Sequence, residues 1–579
     1  MIARGIALVF AMTLLIGISG WLAIRATNKQ GNATAAGSSN VELAKHKQVS
    51  IWDAEHVAFE IESRFGKPFC AALRDRDAKA LTGFFSLNCR TRLLETSSRQ
   101  LRRVAAVTET RQSTSAGGDD RDAAALVTTL FDLLQPLDTI DRIRLRALKV
   151  RKDQTQSGRW QTKLLLEARG LDEDGQVELH RSEHAVSFAL DAAAQIATRG
   201  IIVDWSMLSA TQREAPQPLM EEVTSAYGLQ QLGLFDNWKL PVNSADLYQF
   251  QMAVEDFNRD GFLDIAIASG QLRPILLRSE HGTRFTDVTA AMGLRSWQRP
   301  TTLVTWIDFD NDSYPDLWMG DRLYRNVRGE KFEPVLHQGV PVVGYDPMGA
   351  VVGDYDCDGK TDLYILYQHG AGNSESVPWV GDEASGLPNQ LWRNEGDGLF
   401  QNVTLNAGAA GGRRLSFAAT WLFLDDDRFP DLYIANDFAR NVLLRNTGQG
   451  MFADVTRSIG GGDFATSMGV AAGDINNDGS PEIYVANMYS KMGRRIIDHI
   501  DKEDYPPGIY EQILGSCAGN RMYTRSAGES KLREISEAMG VNAVGWAFGP
   551  AFADFDNNGW LDLYAATGYL SFSRTKPDG

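Results

Sequence analysis

One acidic phrase recurs along the second half of this 579-residue chain, and it constrains the fold more than any other feature. It reads DFNRDGFLDIAIAS from Asp256, DFDNDSYPDLWMG from Asp308 and DYDCDGKTDLYIL from Asp354. Further copies read FLDDDRFPDLYIAN from Phe423, DINNDGSPEIYVAN from Asp474 and DFDNNGWLDLYAAT from Asp554. A second phrase alternates with it, as LLRSEHGTRFTDVT, LYRNVRGEKFEPV, LWRNEGDGLFQNVT, LLRNTGQGMFADVT and RMYTRSAGESKLREIS. The copies begin 52, 46, 69, 51 and 80 residues apart, and the two long spacings match insertions at 368–389 and 488–520. A unit of about 50 residues carrying about four short strands is the length of a propeller blade. The first unit should use Met252–Asp256, Leu263–Ala268, Ile275–Arg278 and Phe285–Val288. Six or seven blades are expected, with Leu234–Leu240 completing the last one or, alternatively, the sequence stopping short of that blade's final strands.

Oxygen-bearing side chains occupy loop positions 1, 3, 5 and 9. The sets are Asp256, Asn258, Asp260 and Asp264, then Asp308, Asp310, Asp312 and Asp316, then Asp354, Asp356, Asp358 and Asp362. Two more are Asp474, Asn476, Asp478 and Glu482, and Asp554, Asp556, Asn558 and Asp562. Glycine at position 6 suits a tight turn, although Ser313 replaces it in the second loop. Calcium takes six to eight oxygens in adaptable geometry, and such loops supply them. Zinc would want nitrogen or sulfur. An EF-hand would place Glu at position 12, where Ile267, Met319, Ile365, Val485 and Ala565 stand, and would flank the loop with helices. About five strand-loop-strand calcium sites are therefore expected. The copy at Phe423 keeps Asp425, Asp427 and Asp431 but lacks the first ligand and the glycine, so weak binding or none is expected there.

Both phrases resemble the FG-GAP or VCBS repeats of integrin-α-type propellers. The pattern is similar to the cartilage-acidic-protein-like (ASPIC/UnbV) group, in which DxDxDGxxDLYVAN alternates with NxLYRNxGDGxFxDVT. The resemblance covers about residues 226–579. It implies a mainly β, calcium-stabilised propeller outside the cytoplasm, with adhesion or protein or glycan contact as its role. The five complete loops carry the ligand positions over.

The rest of the chain sets the context. Gly5 to Ile24 is a twenty-residue uncharged run, long enough to cross a bilayer as a helix. It reads as an uncleaved anchor or, alternatively, a cleaved signal peptide with Ala33-Thr34-Ala35 beyond it. Either reading places the bulk of the chain in the cell envelope or outside it. Residues 26–40 read as a flexible Gly, Ser and Asn-rich linker. Residues 41–222 read as a small α+β domain, helical over 51–86 and then stranded over 141–150, 159–168, 176–190 and 200–208. That order loosely resembles the NTF2-like (nuclear-transport-factor-like) group. Residues 223–579 are the repeat domain. His180 and His184 share a strand face with Glu183 between them, a spacing that does not make a metal site by itself. Four cysteines allow three pairings, of which Cys70 with Cys89 and Cys357 with Cys517 keeps each bridge inside one domain.

The formal charge is −16, and residues 236–579 hold 47 acidic against 29 basic side chains. That balance argues against nucleic acid as a partner, because binding it needs a basic face. No nucleophile elbow, P-loop or His-Glu-x-x-His motif is present. A non-catalytic interaction module follows. The alternative is an envelope enzyme using a pocket of the middle domain or a loop-bound metal.

Overall fold

The computed structural model describes residues 45–94, 100–104, 107–113, 121–190, 200–232, 250–269, 274–294, 303–320, 322–336, 345–370, 386–425, 427–526 and 529–568. The expected anchor, the linker and Leu234–Leu240 lie outside them. Among the described residues no helix is long and apolar enough to cross a membrane. The protein is mainly β and divides into two compact units.

The first unit comprises residues 1–221 together with 491–505. Helix α1 (Lys45–Glu60) runs into a π-helical turn (Ile61–Gly66) and helix α2 (Lys67–Arg74), with Pro68 in its first turn. Proline is tolerated there because the first-turn N–H has no intrahelical acceptor. Helix α3 (Ala123–Leu134) starts where the Asp122 side chain accepts from Ala125 N. It buries Leu126, Leu130 and Leu134, one face at i, i+4 spacing.

Four long antiparallel strands, β1 (Thr139–Lys152), β2 (Arg159–Leu171), β3 (Val177–Ala189) and β4 (Ile202–Ala215), pair in sequence order. Strand Val107–Ser113 adds antiparallel to β4, and Phe85–Arg92 pairs with β4 in parallel. The core is aromatic: Phe65, Phe69, Phe84, Phe188 and Trp205 pack ring against ring, with Phe69 stacked on Trp205 at 5.4 Å.

Residues 491–505 leave the repeats, where the sequence placed them, and join this first unit. Their helix α4 (Lys491–Ile497) carries Arg495, whose Nε and Nη2 each donate to Glu55 at 2.8 Å. Its Nη1 donates to the Ala147 carbonyl at 2.8 Å, and His499 Nε2 lies 2.9 Å from the Val150 carbonyl. Lys47 pairs with both Asp501 and Asp504.

The second unit comprises residues 222–490 and 506–579 and is built from consecutive antiparallel meanders. Sheet 1 uses Phe250–Glu255, Asp264–Ser269, Ile275–Ser279 and Phe285–Asp287. Sheet 2 uses Val304–Ile307, Asp316–Met319, Arg322–Asn326 and Phe332–Val335. Sheet 3 uses Tyr345–Gly353, Asp362–Gly370, Gln390–Gly396 and Leu399–Asn402. Sheet 4 uses Leu415–Leu422, Asp431–Asp437, Val442–Asn446 and Phe452–Asp454. Sheet 5 uses Ser467–Gly473, Glu482–Asn487, Arg521–Thr524 and Arg533–Glu534. Sheet 6, among the described residues, pairs Ala547–Ala553 with Asp562–Thr567.

The second strand of each sheet explains its uninterrupted apolar sequence. Asp316–Met319, Asp431–Ala435 and Glu482–Asn487 are buried at every position, so both faces of those strands are covered. Each sheet shares a core with the next. Phe257 of the first acidic loop packs with Trp306 and Phe332 of sheet 2, and Tyr433 of sheet 4 with Ile483 and Tyr523 of sheet 5.

All four cysteines are free thiols. Cys357 sits in the connection between the first two strands of sheet 3, whereas buried Cys517 precedes the third strand of sheet 5, at the other strand end. The pairing that would keep each bridge inside one domain is not formed.

Candidate metal-binding loops

Every acidic loop joins the first and second strands of its sheet, and position 9 is always the first residue of the second strand. There it pairs across the sheet with the last residue of the first strand, as Asp316 does with Ile307 and Asp362 with Gly353. Position 9 is also an internal clamp. One oxygen accepts from the N–H of position 2: Asp264 from Phe257 (3.2 Å), Asp316 from Phe309 (3.2 Å), Asp362 from Tyr355 (3.1 Å), Glu482 from Ile475 (3.1 Å) and Asp562 from Phe555 (3.2 Å). The other reaches the third strand, where Asp264 accepts from Ser279 N and Asp316 from Asn326 N, both at 2.7 Å, and Asp362 from Asn394 N at 2.8 Å. Each carboxylate oxygen keeps a second lone pair after one such bond.

Position 1 folds the loop. Both oxygens of Asp354 accept backbone N–H groups, from Asp358 at 3.0 Å and Gly359 at 2.9 Å, and Asp256, Asp308, Asp474 and Asp554 do the same in their loops. Position 5 accepts from the N–H of position 7, as Asp260 does from Phe262 and Asp312 from Tyr314. Position 6 is left-handed in the five complete loops, with φ of +88° at Gly261, +89° at Gly359 and +70° at Ser313. Position 4 is left-handed too, at Arg259, Asn311, Cys357, Asn477 and Asn557, all near +55°. Asparagine, a residue enriched in that region, stands there in three of the five loops, whereas Arg259 and Cys357 carry no such signal.

These turns bring positions 1, 3 and 9 together. In three loops the carboxylates converge with ligand oxygens within 4.8 Å of one another: Asp308, Asp310 and Asp316; Asp354, Asp356 and Asp362; Asp554, Asp556 and Asp562. The position 5 carboxylates Asp312 and Asp358 stand outside those groups. The loops with Asn258 and Asn476 at position 3 have two carboxylates and one amide in the same places. There Asn258 Nδ2 donates to Asp260 Oδ2 at 2.9 Å, and Asn476 Nδ2 to Glu482 Oε1 at 3.3 Å. Asp310 is informative: its Oδ2 pairs with Arg325 Nε at 2.8 Å, while its Oδ1 is buried without a hydrogen-bond partner.

Burial sets the electrostatics. It pushes three position 9 carboxyls up, Asp264 to about 6, Asp316 to about 7 and Asp362 to about 8, with neighbouring carboxylates adding to the rise. Burial likewise raises Asp308 and Asp356. At Asp358 burial pushes up, but the Lys360 ammonium at 3.0 Å wins and holds the carboxyl low. Asp431 in the Phe423 loop is raised to about 6 for the same reason, burial. A raised position 9 therefore reports burial, which the clamp bonds oppose, and not a cation site. That loop keeps the clamp, with Leu424 N and Asn446 N on the two oxygens of Asp431 at 2.8 and 2.7 Å. It lacks the position 1 carboxylate, and Arg428 at position 6 is not left-handed.

The second phrase has its own task. Its asparagine reaches the carbonyl of position 2 in the preceding loop: Asn326 to Phe257 (2.7 Å), Asn394 to Phe309 (2.9 Å) and Asn446 to Tyr355 (2.7 Å). In sheet 5 Arg525 takes that place and donates to Leu424. A second lacing joins successive loops through position 4. Asn311 Nδ2 donates to the Gly359 carbonyl at 2.6 Å, Asn477 Nδ2 to Gly559 at 3.1 Å, and the Cys357 thiol lies 3.6 Å from the Arg428 carbonyl.

Comparison with known proteins agrees with this geometry. The FG-GAP-like repeat family matches residues 256–319, 308–365 and 424–485. Cartilage acidic protein 1 of Homo sapiens is 33% identical over 132 residues, covering 20% of each chain. The Mus musculus protein of that name gives the same identity and coverage. The Xenopus tropicalis one is 32% identical over 140 residues, 21% of each chain. The matched stretch thus spans about a fifth of the length of these curated relatives.

Proposed function

We propose that this chain, which carries FG-GAP-like repeats, is an extracytoplasmic calcium-binding β-propeller. It acts as a protein or glycan interaction module and not as a catalyst. The observation that supports calcium most directly is the convergence of positions 1, 3 and 9 in three loops, with Asp310 Oδ1 buried and unpartnered. The donors are all oxygen, which suits a hard cation. Asp308, Asp310, Asp316, Asp354, Asp356, Asp362, Asp554, Asp556 and Asp562 would hold the first three ions, with Asp312, Asp358 and Asn558 beside them. Asp256, Asn258, Asp260 and Asp264, and Asp474, Asn476, Asp478 and Glu482, would hold two more with fewer charges. Bound calcium would neutralise clustered carboxylates and lock each loop to its sheet. Successive sheets sharing cores support the propeller, and an anchor at residues 5–24 would hold it at the membrane.

The test of the calcium reading is thermal unfolding of the purified protein in chelator and in millimolar calcium. A ligand that binds the folded state raises its melting temperature by mass action. Identical curves would sink that reading. Pull-down from envelope extract with and without chelator tests the interaction role, for which calcium-dependent capture of one defined protein or glycan is the expected result.

A further inference from the structure

A cavity of about 380 Å³ lies within the first unit, between helix α3 and the sheet. That volume falls in the range of small-molecule pockets, roughly 300–1,000 Å³. Leu130 and Leu134 of the helix and Leu166, Ala168 and Ala210 of the strands form its apolar wall, and all five are buried. Beside these strand residues, on the same sheet face, His180 and Ser182 of β3 also line the cavity, Ser182 pairing across the strands with Leu166 and Ala210. Along that face of β3, Phe188, Val186, His184, Ser182, His180 and Glu178 are all buried, and the order runs from apolar to polar. Glu183, on the other side, pairs with Lys163 at 2.9 Å.

The hydrogen bonds along this wall fix where one proton points. Trp205 Nε1 donates to His184 Nδ1 at 3.0 Å, so Nδ1 carries no hydrogen. Burial drives the His184 imidazole down to about 3, so it is neutral with its single proton on Nε2. Nε2 lies 2.8 Å from Ser182 Oγ, which must therefore accept. The Ser182 hydroxyl proton is left with no acceptor among the described residues, and Ser182 lines the cavity. His180 stands beside it. Its buried Nε2 is 3.0 Å from Glu178 Oε2 but lacks a hydrogen-bond partner, the geometry being off-axis. Gln212 Nε2 donates to that same Glu178 oxygen at 3.3 Å.

We propose that this cavity binds a small, uncharged, mostly apolar molecule through one carbonyl-type oxygen, which accepts the Ser182 hydroxyl proton beside His180. The leucine wall takes the apolar body, since burying it is favourable without direction. A carboxylate head is disfavoured because Asp132 lines the cavity and Glu178 stands beside His180, while the lining cation, Arg181, is already paired with Glu167 at 2.8 Å. The site is independent of the acidic loops.

The probe is prodan, an uncharged naphthyl ketone whose emission moves to the blue on leaving water. Titrated into the full chain, it should give a saturable blue-shifted component at one equivalent and raise the melting temperature. Ala168→Phe and, as a milder filling variant, Ala210→Leu should each remove that component. Comparing titrations of variant and parent subtracts dye held elsewhere on the chain. Ser182→Ala should weaken prodan about tenfold, as expected for one lost hydrogen bond. It should leave the ketone-free 2-dimethylaminonaphthalene unchanged, whereas mere structural damage would weaken both. Equal titrations for parent and a folded filling variant would overturn the cavity assignment. Unaltered prodan affinity in Ser182→Ala would overturn recognition of the oxygen.

Discussion

The side-chain amide of Asn446 donates to the carbonyl of Tyr355, 2.7 Å away and one repeat upstream. Its other contacts are the Pro430 carbonyl at 3.2 Å and Gly448 N at 3.0 Å, so one buried residue closes its own turn and ties two sheets. Asn446→Ala should lower the urea midpoint of the repeat unit by the equivalent of about 1–3 kcal/mol, the range for leaving buried polar groups unpaired. A midpoint equal to the parent's would show that the tie adds nothing.

Position 6 offers a matched pair of substitutions. Gly359 has φ of +89° with open space around it, so Gly359→Ala tests conformation alone. A loss of about 1 kcal/mol is expected, because Cβ disfavours the left-handed region. Ser313, at +70°, already bears that strain. Ser313→Gly should stabilise by about 0.5 kcal/mol once the looser unfolded chain is counted. Chemical denaturation of both variants in chelator reads the two signs.

The converging groups rank the loops for calcium. Asp356 belongs to a group of three carboxylates, whereas Asp425 sits in the loop without a first ligand. By calorimetry, Asp356→Asn should remove or weaken one site at least tenfold, following the dependence of affinity on ligand charge. Asp425→Asn should leave stoichiometry and affinity unaltered.

Arg495 is held by Glu55 through two 2.8 Å bonds, with Glu62 3.7 Å away, and all but about a tenth of each side chain in the Arg495–Glu55 pair is buried. Burial raises the Glu62 carboxyl and the guanidinium opposes that rise. Arg495→Met should therefore destabilise the first unit by about 3–5 kcal/mol, the cost of stranding buried charge. Protease sensitivity of residues 491–505 gives a local readout.

His184 makes the first unit sensitive to acid. Its folded value of about 3 lies below the ordinary value of about 6.5. Between those limits the unfolded chain holds a proton that the folded one does not, so stability rises with pH across the window. It is fully present above about 6.5 and is lost progressively as pH falls toward 3. His184→Gln should flatten the slope by up to about 1.4 kcal/mol per pH unit. An unchanged slope between pH 4 and 6.5 would remove His184 as the cause.

Spacing made the acidic loops legible, because four oxygen side chains at fixed offsets repeat in register. The same letters concealed that position 9 is a clamp, since Asp431 has it without Phe423 being a ligand. Asn326, Asn394 and Asn446 stood out as repeated letters, but their task depends on a neighbouring sheet that no local pattern encodes. In the first unit, alternation located the four long strands; β1, β2 and β4 run two to seven residues past their expected C-terminal ends, whereas β3 lies within its expected span. Helix α3 was missed although Asp122 and the Leu126, Leu130, Leu134 stripe signalled it. Strand Phe85–Arg92 was read partly as helix because its outer positions are polar and exposed. The transfer of residues 491–505 to the first unit had no local signal, since Arg495 finds Glu55 across 440 positions.

That transfer has a consequence for how the protein is made. A ribosome adds about 5–20 residues per second, and domains generally fold as they emerge. Here the guanidinium that neutralises Glu55 is encoded after most of the repeats. The first unit to be synthesised is completed late, once residue 505 has emerged. Until then it must wait, or fold provisionally, while sheets 1 to 4 form.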